Sequence, residues 1–235
     1  MPRTKRCTPG GMVYHVLNRG VGRMTLFEDD ADYRAFLRVV GETLRLAPMR
    51  ICGFCLMPNH WHMLLWPAGD GDLSVFMQRL TNTHAQRWQR HRGRVGEGHV
   101  YQGRFKSFPL EGDDYYYQAL RYVERNALRA NLVERAEDWR WCSLSAWHSA
   151  EPDETWPLVR PLPCGPGWTE HVNQPQTEAE VAAIRRAIRR GSPLGSPEWV
   201  ESTARRLGLE STLKPRGRPK TKTPRPNEDT ALQST

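Results

Sequence analysis

The 235-residue sequence has no apolar run long enough to span a bilayer, and no apolar core follows its polar start, Met1-Pro2-Arg3-Thr4-Lys5-Arg6. A membrane helix and a secretory leader are therefore not expected, and the chain reads as soluble and cytoplasmic. Cysteine is scarce and irregular, with five residues at 7, 52, 55, 142 and 164. Cys52 and Cys55 spell C-x-x-C only by letter: they lie inside an apolar strand, and no second pair stands at zinc-ribbon spacing. A buried apolar role is favoured over redox or zinc work. There is no internal repeat, and the length leaves room for one domain with extensions or two small ones.

What the chain has in excess is positive charge: +8 at neutral pH, with a pI of about 9.5. Such a balance points to a polyanionic partner, most often nucleic acid, and so to a nucleoid-associated protein. From Lys214 onward six Lys and Arg face two Asp and Glu, so this end carries +4, half of the total. The body is only mildly basic.

Periodicity gives the order of elements. Residues 1–10 read as a loose basic arm. Met12 to Leu17 (MVYHVL) is rich in strand formers. Phe27 to Leu46 has helical spacing, with Glu28, Asp29, Asp30 and Asp32 at its start and Pro48 after its end. Two short apolar strands follow around a Pro58-Asn59 break, then a helix from Asp72 or Ser74 to Trp88. His99 to Glu111 reads as a fourth strand, and a helix from Asp113-Asp114 runs to about Leu128. The order strand-helix-strand-strand-helix-strand-helix predicts an α+β fold: a ferredoxin-like four-stranded antiparallel sheet with helices packed on one face, leaving the other open for a site. The expected domain spans 11–148. An extension over 149–213 is irregular to 176 and then helical over Thr177–Arg190 and Glu198–Leu207. The aromatic run at 137–143 is expected to pack back on the core. A basic tail, 214–235, lacks the apolar residues to fold alone and is expected to be disordered.

The chemistry centres on Met57-Pro58-Asn59-His60-Trp61-His62. On a strand, alternate side chains share a face, so His60 and His62 project together, their Cα atoms about 7 Å apart. Such a pair is often two half-buried histidines bonded to neighbours, but it can also bind one divalent ion. Some sixty residues on, Tyr122 and Asn126 stand one helical turn apart, beside the core stripe of Tyr116, Leu120, Val123 and Ala127. If that helix packs near the pair, Asn126 supplies a third ligand and Tyr122 a nucleophile. Two imidazoles and an amide oxygen suit Mg²⁺ or Mn²⁺, the latter the better match to imidazole. A closed zinc site would need a fourth ligand that the chain does not offer. Such a set serves phosphoryl transfer through a covalent tyrosyl ester.

These residues, with Tyr101-Gln102-Gly103-Arg104-Phe105-Lys106-Ser107 and Arg121-Tyr122-Val123-Glu124-Arg125-Asn126, resemble the single-tyrosine HUH transposases. More closely, they resemble the REP-associated tyrosine transposases. Each motif alone is weak; the combination, over about residues 11–148, is specific. The resemblance implies a metal-dependent enzyme that cuts and rejoins single-stranded DNA. Tyr122 would become linked to a 5′ phosphate, with His60, His62 and Asn126 holding Mg²⁺ or Mn²⁺. The implied substrate is hairpin DNA of the repetitive extragenic palindrome type; the resemblance implies a homodimer, whereas the long C-terminal extension of this chain favours a monomer. The group commonly has Asn-Pro-Val-Arg-Ala where this chain has Asn126-Ala127-Leu128-Arg129-Ala130.

Arg90, Arg92 and Arg94 of a basic loop, with Arg104 and Lys106 on the next strand, are candidate phosphate contacts. In the tail, Arg216-Gly217-Arg218 between prolines resembles an AT-hook, an extended segment suited to an AT-rich minor groove. Two alternatives stand beside the enzyme. One is a domesticated DNA-binding protein with the same fold and no turnover. The other is a replication-initiator nickase, disfavoured because no helicase portion is present.

Overall fold

Two-residue alternation along His60–Trp66 divides its side chains between two buried layers, and the rest of the chain is wrapped around that division. The computed structural model describes residues 7–149 and 157–214. Its sheet holds β1 (Tyr14–Arg19), β2 (Arg50–Met57), β3 (His60–Trp66) and β4 (Lys106–Pro109) in the order β2-β3-β1-β4. Every neighbouring pair is antiparallel. The helices are α1 (Asp30–Leu46), α2 (Asp72–His91), α3 (Asp114–Glu124), α4 (Asn126–Arg129), α5 (Ser143–His148), α6 (Trp168–Asn173), α7 (Glu178–Arg190), α8 (Pro197–Leu207) and α9 (Glu210–Leu213). The expected ferredoxin-like order through β4 and α3 is what the chain adopts.

One layer lies under α1 and α2. Trp61, Met63 and Leu65 of β3 and Tyr14 and Val16 of β1 pack there against Phe36, Val40, Phe76 and Leu80. Asp29 starts α1 by accepting from the Asp32 amide at 3.1 Å. The opposite layer departs from expectation, because the second sheet face is covered as well. Leu64 and Phe108 meet Tyr116, Leu120 and Val123 of α3, and Val172, Ile184 and Leu194 of the extension join the same cluster. The apolar stripe of α3 foretold its contact with the sheet. It did not foretell that Val172, Ile184 and Leu194, far along the chain, join the same cluster.

Three boundaries also differ. The fourth strand is only Lys106–Pro109; before it the chain makes an isolated bridge, Tyr101 with Gly20. The Val21 amide donates to the Val100 carbonyl and the Gln102 amide to the Arg19 carbonyl, both at 2.9 Å, and side chains add to this. There Trp61 Nε1 donates to the Tyr101 hydroxyl at 3.2 Å, leaving that hydroxyl to donate to His84 Nδ1 at 2.7 Å. The last helix of the domain breaks at Arg125 (φ −83°, ψ 1°) into α3 and α4. The stretch read as irregular contains α6. As expected, the aromatic run packs back: the Leu56 amide donates to the Trp141 carbonyl at 2.8 Å, and Trp139 Nε1 donates to the Leu56 carbonyl at 2.9 Å. These bonds cover the free edge of β2. Helix α7 begins with a Thr177–Glu180 capping box and ends at Gly191 with φ 71°. Cys52, Cys55 and Cys142 are buried and free. Among the described residues no helix is long and apolar enough to cross a membrane.

His84 carries a pH dependence. Burial pushes its imidazole down to about 3, against about 6.5 in an unfolded chain. Between those values the unfolded state binds the extra proton, so stability is full above pH 6.5 and falls as the pH drops toward 3. Urea unfolding should show this loss, with His84 contributing up to about 1.4 kcal/mol per pH unit. His84→Gln, whose amide oxygen can still accept from Tyr101, should flatten the slope by about one proton; an unchanged slope would contradict the assignment.

Candidate active site

Register explains why three imidazoles meet. Leu17 of β1 pairs with His62 and Arg19 pairs with His60, so His15 lies diagonally beside His62 on the same face. His15 Nε2 and His62 Nδ1 are 2.8 Å apart, and the ring centroids 5.0 Å with 21° between planes. The nitrogen–nitrogen line takes up most of that separation, so the rings lie edge to edge, nearly coplanar. His60 Nδ1 lies 2.6 Å from Asn59 Oδ1, to which it can only donate. His60 therefore keeps a bare Nε2. His62 does the same when its Nδ1 donates to His15. The two rings are 5.1 Å apart at 82°.

All three rings are neutral at pH 7. Burial, then Arg19 and Arg129, push His60 down to about 4. Burial, then His15 and His60, hold His62 well below its usual value. Burial and then Arg129 bring His15 to about 3. Bare, neutral imidazole nitrogens are the form that binds a metal.

Tyr122 of α3 places its ring 6.0 Å from His62 and 6.2 Å from His15. Arg129 ties the rest together. Its guanidinium lies 3.9 Å from the centre of the Tyr122 ring, and its Nη2 donates to Asn126 Oδ1 at 2.9 Å. The structure thus gathers His60, His62 and Tyr122, and brings Asn126 to them through Arg129. The Asn126 oxygen keeps one lone pair, while its Nδ2 is buried without a partner. Among the described residues no three His, Cys, Asp or Glu form a metal cluster. The fitting donors are two imidazole nitrogens and one amide oxygen, a set that a hard or borderline divalent ion accepts.

Of the basic candidates, Arg104 and Lys106 are exposed on the β4 side. Arg92 is ion-paired with Glu28 at 2.6 Å and with Asp32, and Arg94 with Glu97 at 3.6 Å. Those two charges are compensated within the chain. Arg90 is exposed at the end of α2. Arg216, Gly217 and Arg218 lie outside the described residues. Sequence reading missed His15, Asn59, Arg19 and Arg129. A signal existed for His15, a lone polar residue inside the apolar run MVYHVL. Arg129 is seven residues past Tyr122, two helical turns on the same face.

The polar side of α3 is held by the extension. Glu124, fully buried, accepts from Ser143 Oγ at 2.8 Å, Trp168 Nε1 at 2.6 Å and Arg160 Nη2 at 3.3 Å. Burial raises its carboxyl, and Arg160 with the hydrogen bonds pulls it back. Arg121 Nη2 donates to the Gln174 carbonyl at 2.8 Å, and Arg125 Nη1 to the carbonyls of Val172 (2.9 Å) and Asn173. Both flanks of Tyr122 are thereby fixed to its own chain.

The fold is shared with a solved transposase structure. The structure of the REP-associated tyrosine transposase bound to a REP hairpin matches with a TM-score of 0.51 at 19% identity, covering 68% of this chain and 94% of that one. A transposase structure from Deinococcus radiodurans aligns with a TM-score of 0.38 at 12% identity, covering 56% of this chain and 95% of that one. No curated protein matches the chain. Residues 10–126 match the family model for IS200-like transposases, and through this segment the chain belongs to that family.

Replacing Glu124 with Ala should leave Arg160 and Trp168 Nε1 without their buried acceptor and cost about 3–5 kcal/mol in urea unfolding. Glu124→Gln, which keeps an acceptor oxygen, should cost less. A loss under about 1 kcal/mol for the Ala variant would mean that the carboxylate does not anchor the helix.

Proposed function

We propose that this protein is a metal-dependent single-stranded DNA endonuclease and transposase that cleaves and rejoins hairpin-bearing DNA through a 5′-phosphotyrosine. The observation that carries it is the Tyr122 ring seated 6.0 Å from His62. A phenol beside two neutral imidazoles with bare nitrogens has no packing purpose that a phenylalanine would not serve as well.

In this reading Tyr122 Oη attacks the scissile phosphorus. The P–O3′ bond breaks, the 3′ oxygen leaves and takes up the proton that the phenol gives up, and DNA is held through its 5′ phosphate on the tyrosine. Attack by a 3′ hydroxyl on that ester reverses the step and rejoins a strand. His60 Nε2, His62 Nε2 and Asn126 Oδ1 would hold Mg²⁺ or Mn²⁺, which polarises the phosphate and neutralises developing charge. Asn59 and His15 keep the imidazole protons on the Nδ1 side. Arg129 keeps the phenol ring and the Asn126 amide in register, and its guanidinium can pair with a phosphate oxygen. The solved structure of similar fold carries a REP hairpin, which supports a hairpin of that kind as substrate. Arg104 and Lys106 are the phosphate contacts on the body, and Arg216, Gly217 and Arg218 are the minor-groove contacts of the tail. The extension over 149–213 holds Tyr122 to its own sheet, favouring a monomeric site.

Incubating the protein with 5′- and 3′-labelled hairpin DNA and Mn²⁺ should give a covalent adduct on a denaturing gel. Tyr122→Phe should abolish it while sparing DNA binding. An adduct that survives would move the nucleophile elsewhere. No adduct from the wild type, with hairpin binding intact, would make it a DNA-binding protein without turnover.

A further inference from the structure

A second feature lies at the β4 edge of the sheet, between that strand and a helix beyond the residues that match the family. Two adjoining cavities of about 280 and 330 Å³ run along β4 and share Lys106 and Ile188. Ile188 belongs to α7, which packs on β4. The lining holds Arg19, Arg104, Lys106, Arg189 and Arg190 and no carboxylate. Arg190 is spent on the carbonyls of Ser211 and Thr212. The other four have no ion pair among the described residues, unlike Arg92 or Arg135, whose charges are met by acids. Arg19 Nε is buried without a partner. On α7, Arg185 and Arg189 are both exposed and share a face with Ile188. Arg185 acts on Arg129 as a like charge, which an anion between them would relieve.

Position gives the occupant. Leu17 pairs with His62 on one side and Lys106 on the other, so one rung of the sheet joins the histidine to the cleft. At the usual strand spacing Lys106 is roughly 10 Å from His62, on the same face. A chain of phosphates lying in the cleft would reach Tyr122 within a few nucleotides. A duplex is too wide for a groove between one strand and one helix. Gln102, exposed at the rim, offers an amide group to an unpaired base.

We propose that the cleft between β4 and α7 seats the single-stranded flank of the DNA hairpin, with Arg19, Lys106, Arg185 and Arg189 on its phosphates. This rests on the DNA-processing reading above, but it makes the C-terminal extension part of the substrate site.

The test uses the full chain and three labelled probes: a flanked hairpin, the same hairpin without its flank, and a short single strand. Binding is followed by fluorescence anisotropy across a salt series. Exchanging Arg185 and Arg189 together for Gln, both exposed, should weaken the flanked hairpin and the single strand about tenfold and lower their salt slope by about 1.4. Blunt-hairpin binding should be unchanged. Lys106→Gln is a second probe from the opposite wall and should act in the same direction. Equal loss on the blunt hairpin, or an unchanged slope on the flanked one, would overturn the proposal. Adduct formation separates the two readings. A wild type that forms no adduct yet shows the flank-specific loss refutes the enzyme and keeps the cleft. An adduct whose flank binding ignores all three residues does the reverse.

Discussion

A single buried carboxylate constrains the helix on which the site depends. Glu124 has no exposure and meets a hydroxyl, an indole and a guanidinium from three separate stretches. Charge taken out of water must be paired, and here every partner comes from beyond α4. Ser143 also accepts from the Phe54 amide of β2 at 3.1 Å. The carboxylate therefore couples the tyrosine helix to the sheet through a polar relay as well as through Leu120 and Val123. With Arg121 and Arg125 bound on either side, α3 is left little freedom to slide or to leave.

That rigidity matters because the site is assembled from parts that do not adjoin in sequence. β3 brings His60 and His62, β1 brings His15 and Arg19, and α3 and α4 bring Tyr122, Asn126 and Arg129. Catalytic groups need placement within a fraction of an ångström. Paired strands give the imidazoles that placement through backbone register. A helix resting on apolar contacts alone has softer position, and the hydrogen bonds of the extension supply what the sheet supplies for the histidines. The charge pattern follows the same division. On the α1 and α2 side Arg34, Arg87 and Arg92 are matched by acids, whereas Arg104, Lys106 and Arg189 around β4 and α7 have no ion pair among the described residues and add positive field on that side.

Much of this could be read from the sequence because local rules carried it. Strand alternation put His60 and His62 on one face, and helical spacing put Tyr122 beside a core stripe of Tyr116, Leu120, Val123 and Ala127, all of which are buried. The helix expected over Thr177–Arg190 matches α7 to its last residue. What could not be read depended on pairing across the chain. His15 acquires its role only once β1 and β3 are in register. The hold of the extension on α3 was hidden because it runs through Arg121, Glu124 and Arg125, which in sequence look like a solvated helix face. Their partners are backbone carbonyls, a hydroxyl, an indole and the distant Arg160 guanidinium, which leave no local charge pattern to match. The strand expected over 99–111 shrank to Lys106–Pro109 and an isolated bridge of Tyr101 with Gly20, because 102–105 stand opposite only Asn18 and Arg19 and interrupt the ladder.

The central claim is that one chain supplies both the imidazoles and the phenol. Mixing Tyr122→Phe protein with His62→Ala protein, each inactive alone, tests it directly when the mixture is given labelled hairpin DNA and Mn²⁺. A tyrosine helix locked to its own sheet predicts that the mixture stays without a covalent adduct. Adduct restored on mixing would show that the tyrosine reaches the histidines of a second chain, and would contradict the account.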